Sequence, residues 1–113
     1  MYSDRTRDRL QDIVDDGRRI ELFLAGKTER EFAADERTLF AVERLLQRIT
    51  EAVVQIGAED MAKVIAELPV ERMRGFGNRL RHEYRDLDQR LVFSIARNDL
   101  PPLTAAAARA LET

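Results

Sequence analysis

The chain contains one histidine, His82, and it lies in an arginine-rich segment, GFGNRLRHEY at residues 75–84. Histidine is the side chain whose proton moves most readily near neutral pH, and arginine holds phosphate groups in a bidentate fork. Cleavage of an RNA phosphodiester needs little more than these two groups, because the 2′-hydroxyl of the RNA can act as the nucleophile. The segment therefore indicates a candidate phosphodiester site centred on His82.

Helical geometry predicts the direction of this histidine. With Met73 at 0° and an advance of about 100° per residue, His82 lies at about 180°, on a polar stripe with Asn78 at about 140° and Arg85 at about 120°. The opposite face is apolar and is expected to pack in the core: Phe76, Gly77, Leu80, Tyr84 and Leu87. Two interpretations of the stripe stay open, a solvated helix surface or a polar site that meets a substrate or partner.

The charge of the chain is balanced overall but basic around the histidine. There are 19 Lys and Arg against 21 Asp and Glu, a net charge of −2, which argues against a protein that binds polyanions over its whole surface. Between residues 70 and 90, six arginines stand against four acidic residues. The candidate substrate-binding residues are the arginines nearest the histidine: Arg74, Arg79, Arg81 and Arg85.

Composition excludes several other chemistries. Cysteine is absent, which removes disulfides and thiolate catalysis, and a single histidine argues against a zinc or iron site. We therefore expect no metal and no cofactor. The GFG at 75–77 fails the spacing of nucleotide-binding loops and follows no predicted strand. The acidic pairs 15–16 and 59–60 are expected to be solvated faces or caps rather than acid/base dyads.

The opening MYSDRTRDRLQD is charged throughout, so the sequence predicts no secretion signal. No apolar run approaches the length of a membrane span. These two features predict a cytoplasmic protein that does not contact a membrane.

Helical periodicity dominates the first half of the chain. Residues 4–25 are expected to form a helix that Ser3 or Asp4 caps and that Gly26 ends. TERE at 28–31 predicts a capping box, and Asp35 can cap a long helix that stops at Gly57. The two long helices carry apolar residues at three- and four-residue spacing: Leu10, Ile13, Val14, Gly17, Ile20, Phe23 and Leu24 in the first, and Leu39, Val42, Leu45, Leu46, Ile49, Val53 and Ile56 in the second.

The second half is predicted to be helical too. A weaker helix covers residues 58–68, Pro69 interrupts it, and the next helix carries the histidine segment to about Tyr84. Asp88 can cap a helix over QRLVFSIARND that ends before Pro101-Pro102. The alanine-rich tail at 103–112 has high helix propensity and little to bury beyond Leu103 and Leu111. No segment alternates with period two, so we predict an all-α bundle in one domain, residues 1–113.

The segment GFGNRLRHEYRDLD resembles the signature of the HepT-like branch of the HEPN domains, in which Arg-Asn precedes a Leu-x-His-x-Tyr run. Other segments are similar to this family in the same order: YSDRTRDRLQDI, FLAGKTEREFAADERT, ITEA at 49–52 and NDLPPL at 98–103. The resemblance implies a bundle of five or six helices that forms a symmetric homodimer. It also implies a toxin of a toxin–antitoxin pair, a metal-independent endoribonuclease whose site lies at the dimer cleft.

The same resemblance implies roles for individual residues. His82 corresponds to the general acid/base and Asn78 to its polar support. Tyr84 corresponds to the tyrosine that the partner, an MntA-like nucleotidyltransferase antitoxin, modifies by adding AMP. From the helical angles alone, Tyr84 faces the core side, where a tyrosine usually packs its ring.

One position departs from the family pattern. Gly77 stands where the family has the arginine expected to hold the scissile phosphate. Three explanations are open: a weakened or inactive member, a sequence in which the arginine was replaced, or a shifted arginine that reaches the phosphate across the dimer cleft. Two further hypotheses follow, a non-catalytic HEPN module that binds its nucleotidyltransferase, RNA or a nucleotide, and a plain helical dimer.

Overall fold

Helices account for nearly all of the structure, a computed structural model that describes residues 2–82 and 88–112. The predicted site residues Tyr84 and Arg85 lie outside the described residues. The elements in chain order are α1 (Asp4–Leu24), α2 (Glu29–Ala34), α3 (Glu36–Ile56), α4 (Ala58–Val64), α5 (Val70–His82), α6 (Gln89–Ser94), a π-helical turn (Ile95–Asp99) and α7 (Leu100–Leu111). No strand occurs within these two ranges, so the all-α prediction is confirmed.

The predicted caps begin the helices where expected. Ser3 accepts a hydrogen bond of 3.0 Å from the backbone N–H three residues later, and Asp35 caps α3 in the same manner. Asp88 caps α6 by accepting from the backbone N–H two residues later. Thr28 and Glu31 form the reciprocal capping box of α2. The hydrogen bond from the backbone N–H of Thr28 lowers the pKa of the Glu31 carboxyl. The caps satisfy donors that a helix start leaves without partners, which fixes the helix boundaries locally.

Helices α1 and α3 run antiparallel and pack on each other, and the other helices pack around this pair. Arg9 near the start of α1 donates to Gln55 near the end of α3, and Asp16 farther along α1 pairs with Arg48, earlier in α3. Helix α7 packs on another side of α1, and α5 packs on α3. The bundle therefore places α5, the helix of the histidine, against α3.

The core follows the predicted periodicity with one exception. All seven predicted apolar positions of α3 are buried, and so are the predicted α1 positions other than Phe23. Phe23 is 38% exposed, so its prediction as a core residue was wrong. The neighbouring Leu24 is 3% exposed and takes the inward direction, about 100° away around the helix.

Asp16 corrects the prediction of a solvated acidic pair. Its side chain is 1% exposed, and its carboxylate pairs with Arg19 at 2.8 Å and with Arg48 at 3.0 Å. A buried carboxylate needs such partners, because desolvation penalises an unpaired charge. Arg19 lies on α1 with Asp16, whereas Arg48 lies on α3, so the pair with Arg48 ties the two helices together.

The end of the chain also differs from prediction. The helix does not stop before Pro101-Pro102, because the π-helical turn joins α6 to α7 without a break, and Leu100 N–H donates to the carbonyl of Ile95 five residues earlier. In a π turn each hydrogen bond spans five residues instead of four. The two prolines then occupy the first turn of α7, where the absence of their N–H groups costs little stability. Counted as one helix, 89–111 gives six helices in the described part of the chain.

The alanine-rich tail buries more than predicted. Ala106 and Ala107 are 2% and 0% exposed, and a Cβ added at Gly17 of α1 would lie 3.1 Å from the Cβ of Thr104. Small residues on both helices let α7 approach α1 closely, a contact that propensity alone does not reveal.

Helix α4 is shorter than predicted. It ends at Val64, and Ile65 takes an extended conformation. Pro69 disfavours helix in the residue before it, and Ile65 and Leu68 pack partly buried on the core instead. Among the helices in the two described ranges, none combines the length and apolarity that crossing a membrane requires.

Candidate active site

Helix α5 exposes Asn78 and His82, the two described residues of the polar stripe, as helical geometry predicts. Gly77 and Leu80 are buried and Phe76 is half-buried, whereas Asn78 and His82 are exposed. Asn78 and His82 are four residues apart on one helix, a spacing that places side chains next to each other. The predicted general acid/base and its predicted polar support therefore share one accessible surface.

A groove of about 200 Å³ lies between α5 and α3 beside this stripe. Arg74, Asn78 and Arg81 line it from α5, with Gly77 among them. Glu51 of α3 faces them across the groove. Asn78 thus belongs both to the groove and to the stripe of His82, so the groove adjoins the surface that carries the histidine.

Helices α5 and α3 approach closely at Gly77, a glycine that lines the groove. A Cβ added at Gly77 would overlap Oγ1 of Thr50 and lie 3.1 Å from its Cβ. Thr50 is 3% exposed, and its hydroxyl donates to the carbonyl of Gln47 at 2.7 Å, so its side chain is held in place. Position 77 has no room for a larger residue while the two helices keep this spacing.

Arg81 is tied to α3 across the groove. Its Nη2 lies 2.8 Å from Oε1 of Glu51, and the two side chains are 41% and 40% exposed. Arg74 lies 3.5 Å from Glu71 on its own helix, and that glutamate is 84% exposed. The described structure thus brings two of the four predicted substrate-binding arginines, Arg74 and Arg81, into the groove.

The other predicted site residues do not line the groove. Arg79 is exposed on α5 and is not among the residues that line the groove. Arg85 and Tyr84 lie outside the described residues. Within 2–82 and 88–112, no three His, Cys, Asp or Glu side chains form a group that could hold a metal ion.

Sequence reasoning missed the α3 side of the site. Thr50 and Glu51 belong to ITEA, one of the segments that resemble the family, but no spacing rule connects them to residues 77 and 81 about thirty positions later. Helical periodicity assigns faces within one helix, and it does not predict which faces of two helices meet.

Chemically, the arrangement offers a proton carrier, an amide and two guanidinium groups on adjoining surfaces. The groove can accept an anion through Arg74 and Arg81. His82 does not line the groove, but its exposed imidazole lies four residues after Asn78, which does. These groups suit acid/base chemistry on a phosphodiester.

Comparison with known proteins gives two matches to one family. The family described as "Ribonuclease HepT-like" matches residues 13–110. The chain is also similar to "Probable ribonuclease HepT" of Thermococcus cleftensis, with 32% identity over 97 residues that cover 86% of this chain and 87% of that protein. No solved structure gave a significant match. The match over most of the length, together with the all-α bundle and the His82 segment, establishes that the chain belongs to the HepT-like ribonuclease family.

Proposed function

We propose that this chain is the toxin of a toxin–antitoxin pair and acts as a metal-independent endoribonuclease in a homodimer. Family membership supports the ribonuclease activity. The single observation that carries the proposal is the exposed stripe of Asn78 and His82 beside a groove that contains Arg74 and Arg81. In the proposed dimer, two such stripes face each other across the cleft in which RNA binds.

The proposed reaction uses the RNA as its own nucleophile. The 2′-oxygen attacks the phosphorus and the bond from phosphorus to the 5′-oxygen breaks, which leaves a 2′,3′-cyclic phosphate and a 5′-hydroxyl. His82 imidazole accepts the proton of the 2′-hydroxyl, and the second His82 of the dimer, protonated, donates one to the leaving oxygen. The arginines of the groove neutralise charge that builds on the phosphate in the transition state.

RNA cleavage by the purified chain in the presence of a chelator tests this proposal. We expect cleavage products that end in 2′,3′-cyclic phosphate, and we expect a 2′-deoxy substitution at the cleaved nucleotide to prevent cleavage there. Sedimentation of the same sample is expected to give the mass of two chains. Cleavage that needs a divalent metal ion, or that survives the 2′-deoxy substitution, would contradict the mechanism.

We propose further that a nucleotidyltransferase antitoxin of the MntA-like kind neutralises the toxin by transferring AMP to Tyr84. The resemblance of the RHEY segment supports this, since Tyr84 follows His82 by two residues. With the cognate nucleotidyltransferase and ATP, we expect mass spectrometry to locate one added AMP on Tyr84 and RNA cleavage to cease. A Tyr84→Phe chain that gains AMP elsewhere and still loses activity would refute the assignment to this tyrosine.

A second candidate function is favoured by Gly77. A glycine at position 77 offers no cation to a phosphate, and Thr50 fills the space in which a longer side chain would lie. The alternative is a non-catalytic module that binds its nucleotidyltransferase, RNA or a nucleotide without cutting. Binding without cleavage in the chelator experiment would favour this alternative, whereas a chain that binds none of these would be a plain helical dimer.

A further inference from the structure

The groove between α5 and α3 holds one ion pair that spans it. Arg81 Nη2 lies 2.8 Å from Glu51 Oε1, and the carboxylate uses only part of what a guanidinium offers, which is five N–H donors. Guanidinium groups bind carboxylate and phosphate oxygens in the same geometry. The Glu51 carboxylate therefore marks a position in which a phosphate oxygen could be held by Arg81.

The groove beside Arg81 has the space in which such a phosphate would lie. Arg81 follows Gly77 by four residues, so both face the same side of α5, and both line the groove. The groove measures about 200 Å³ and is open to solvent, so a phosphodiester of an RNA backbone can reach Arg81. Arg74 and Arg81 give the lining two positive charges against the one negative charge of Glu51.

The ion pair itself is easily exchanged. Both side chains are about two-fifths exposed, and exposed pairs of this kind contribute little to stability because water and salt screen them. An incoming phosphate can replace the carboxylate on Arg81 with no buried charge left unpaired.

We infer that Arg81 and Glu51 form a phosphate subsite for the RNA backbone, in which Arg81 binds a phosphodiester and Glu51 competes with it for the guanidinium. This inference rests on the proposed function only in taking RNA as the ligand. Arg81 lies on the same face of α5 as position 77 but one turn later. Thr50 blocks a side chain at position 77 but does not block Arg81, so Arg81 can bind the phosphate in this chain. Glu51 sets how tightly the groove binds.

Binding of an RNA with 2′-deoxy substitutions, followed over a range of salt concentrations, tests the subsite without requiring cleavage. Arg81→Gln is expected to weaken binding by roughly tenfold and to reduce the slope of log affinity against log salt by about 0.7 to 0.9, the value for one lost phosphate contact. Arg109→Gln, an exposed arginine on α7 with the same loss of charge, is the matched control and should leave the slope nearly unchanged.

Glu51→Gln is expected to strengthen binding about two- to fivefold, the range that an exposed ion pair sustains. In the Arg81→Gln background the same change should have little effect, because Glu51 would have no guanidinium to compete for. Glu21→Gln, an exposed glutamate on α1, is the control for general repulsion. Unfolding curves check that all variants are folded.

The outcomes separate this inference from the proposed function. A parent chain that cleaves unmodified RNA while Arg81→Gln keeps full affinity and slope would overturn the subsite and leave the ribonuclease standing. If the parent chain does not cleave RNA, but Arg81→Gln lowers the salt slope by one phosphate contact, the result would support the subsite and contradict the ribonuclease activity. Equal effects of Glu51→Gln with and without Arg81, or no RNA binding by the parent, would overturn the inference.

Discussion

Replacement of His82 by alanine is expected to lower the rate of RNA cleavage by a factor of roughly 10² to 10⁴, the range that a positioned proton-transfer group contributes. His82 is the one histidine of the chain, and its side chain is exposed at the end of α5, so its loss removes a proton carrier without opening a cavity. The measurement is the single-turnover cleavage rate with a chelator present, beside RNA affinity and an unfolding curve.

His82→Gln supplies the control, because glutamine can hydrogen-bond but cannot carry a proton at neutral pH. If His82 transfers protons, both variants lose cleavage to a similar extent and keep their RNA affinity within about twofold. Cleavage retained by His82→Gln would reduce the histidine to a hydrogen-bonding role. Cleavage retained by both variants would show that His82 takes no part in the reaction.

The second prediction concerns two glycines in one helix whose substitutions have opposite effects. Gly75 has nothing within 4 Å of an added Cβ, so Gly75→Ala is expected to stabilise the chain by about 0.5–1 kcal/mol, the helix-propensity gain. Gly77→Ala is expected to destabilise it by about 1–3 kcal/mol, because its Cβ overlaps Thr50 and overpacking outweighs that gain. Gly77→Arg is expected to cost more still. Urea unfolding at neutral pH measures the change in the free energy of unfolding for each variant.

Thr50→Ala tests whether overlap with Thr50 causes the loss of stability in Gly77→Ala. It removes the hydroxyl and methyl groups that an added Cβ meets and leaves one contact of 3.1 Å, so it should recover most of the loss caused by Gly77→Ala. Stabilisation by Gly77→Ala equal to that of Gly75→Ala would show that the helices do not approach as described. An arginine at 77 is therefore best restored together with Thr50→Ala, and higher activity of that double variant would favour the explanation of a weakened member.

Sequence periodicity predicted what depends on one helix at a time. The caps at Thr28 and Asp35, the buried faces of α1 and α3 and the outward direction of His82 each follow from residues within a few turns of one another. Local hydrogen bonds and the 3.6-residue repeat determine these features, so the sequence is sufficient to predict them.

Features that depend on the pairing of helices were not predicted. Asp16 is buried because Arg48 of α3 reaches it, and Glu51 lines the groove because α5 packs on α3 at Gly77. The last helix continues past Pro101 because a π-helical turn precedes the prolines, and the position of the prolines in the sequence does not predict that turn. Each of these requires knowledge of which helix surfaces meet, and one sequence carries no local signal for that.

The contact between Gly77 and Thr50 has a consequence for how α5 is oriented about its own axis. A rotation by one residue, about 100°, would turn Phe76 or Asn78 toward Thr50, where even a Cβ overlaps. The bundle therefore admits α5 at one rotational setting, and that setting directs Arg81 toward α3 and His82 outward. The glycine that cannot bind phosphate thus lets α5 pack closely on α3, and this contact sets the direction in which His82 points from the bundle.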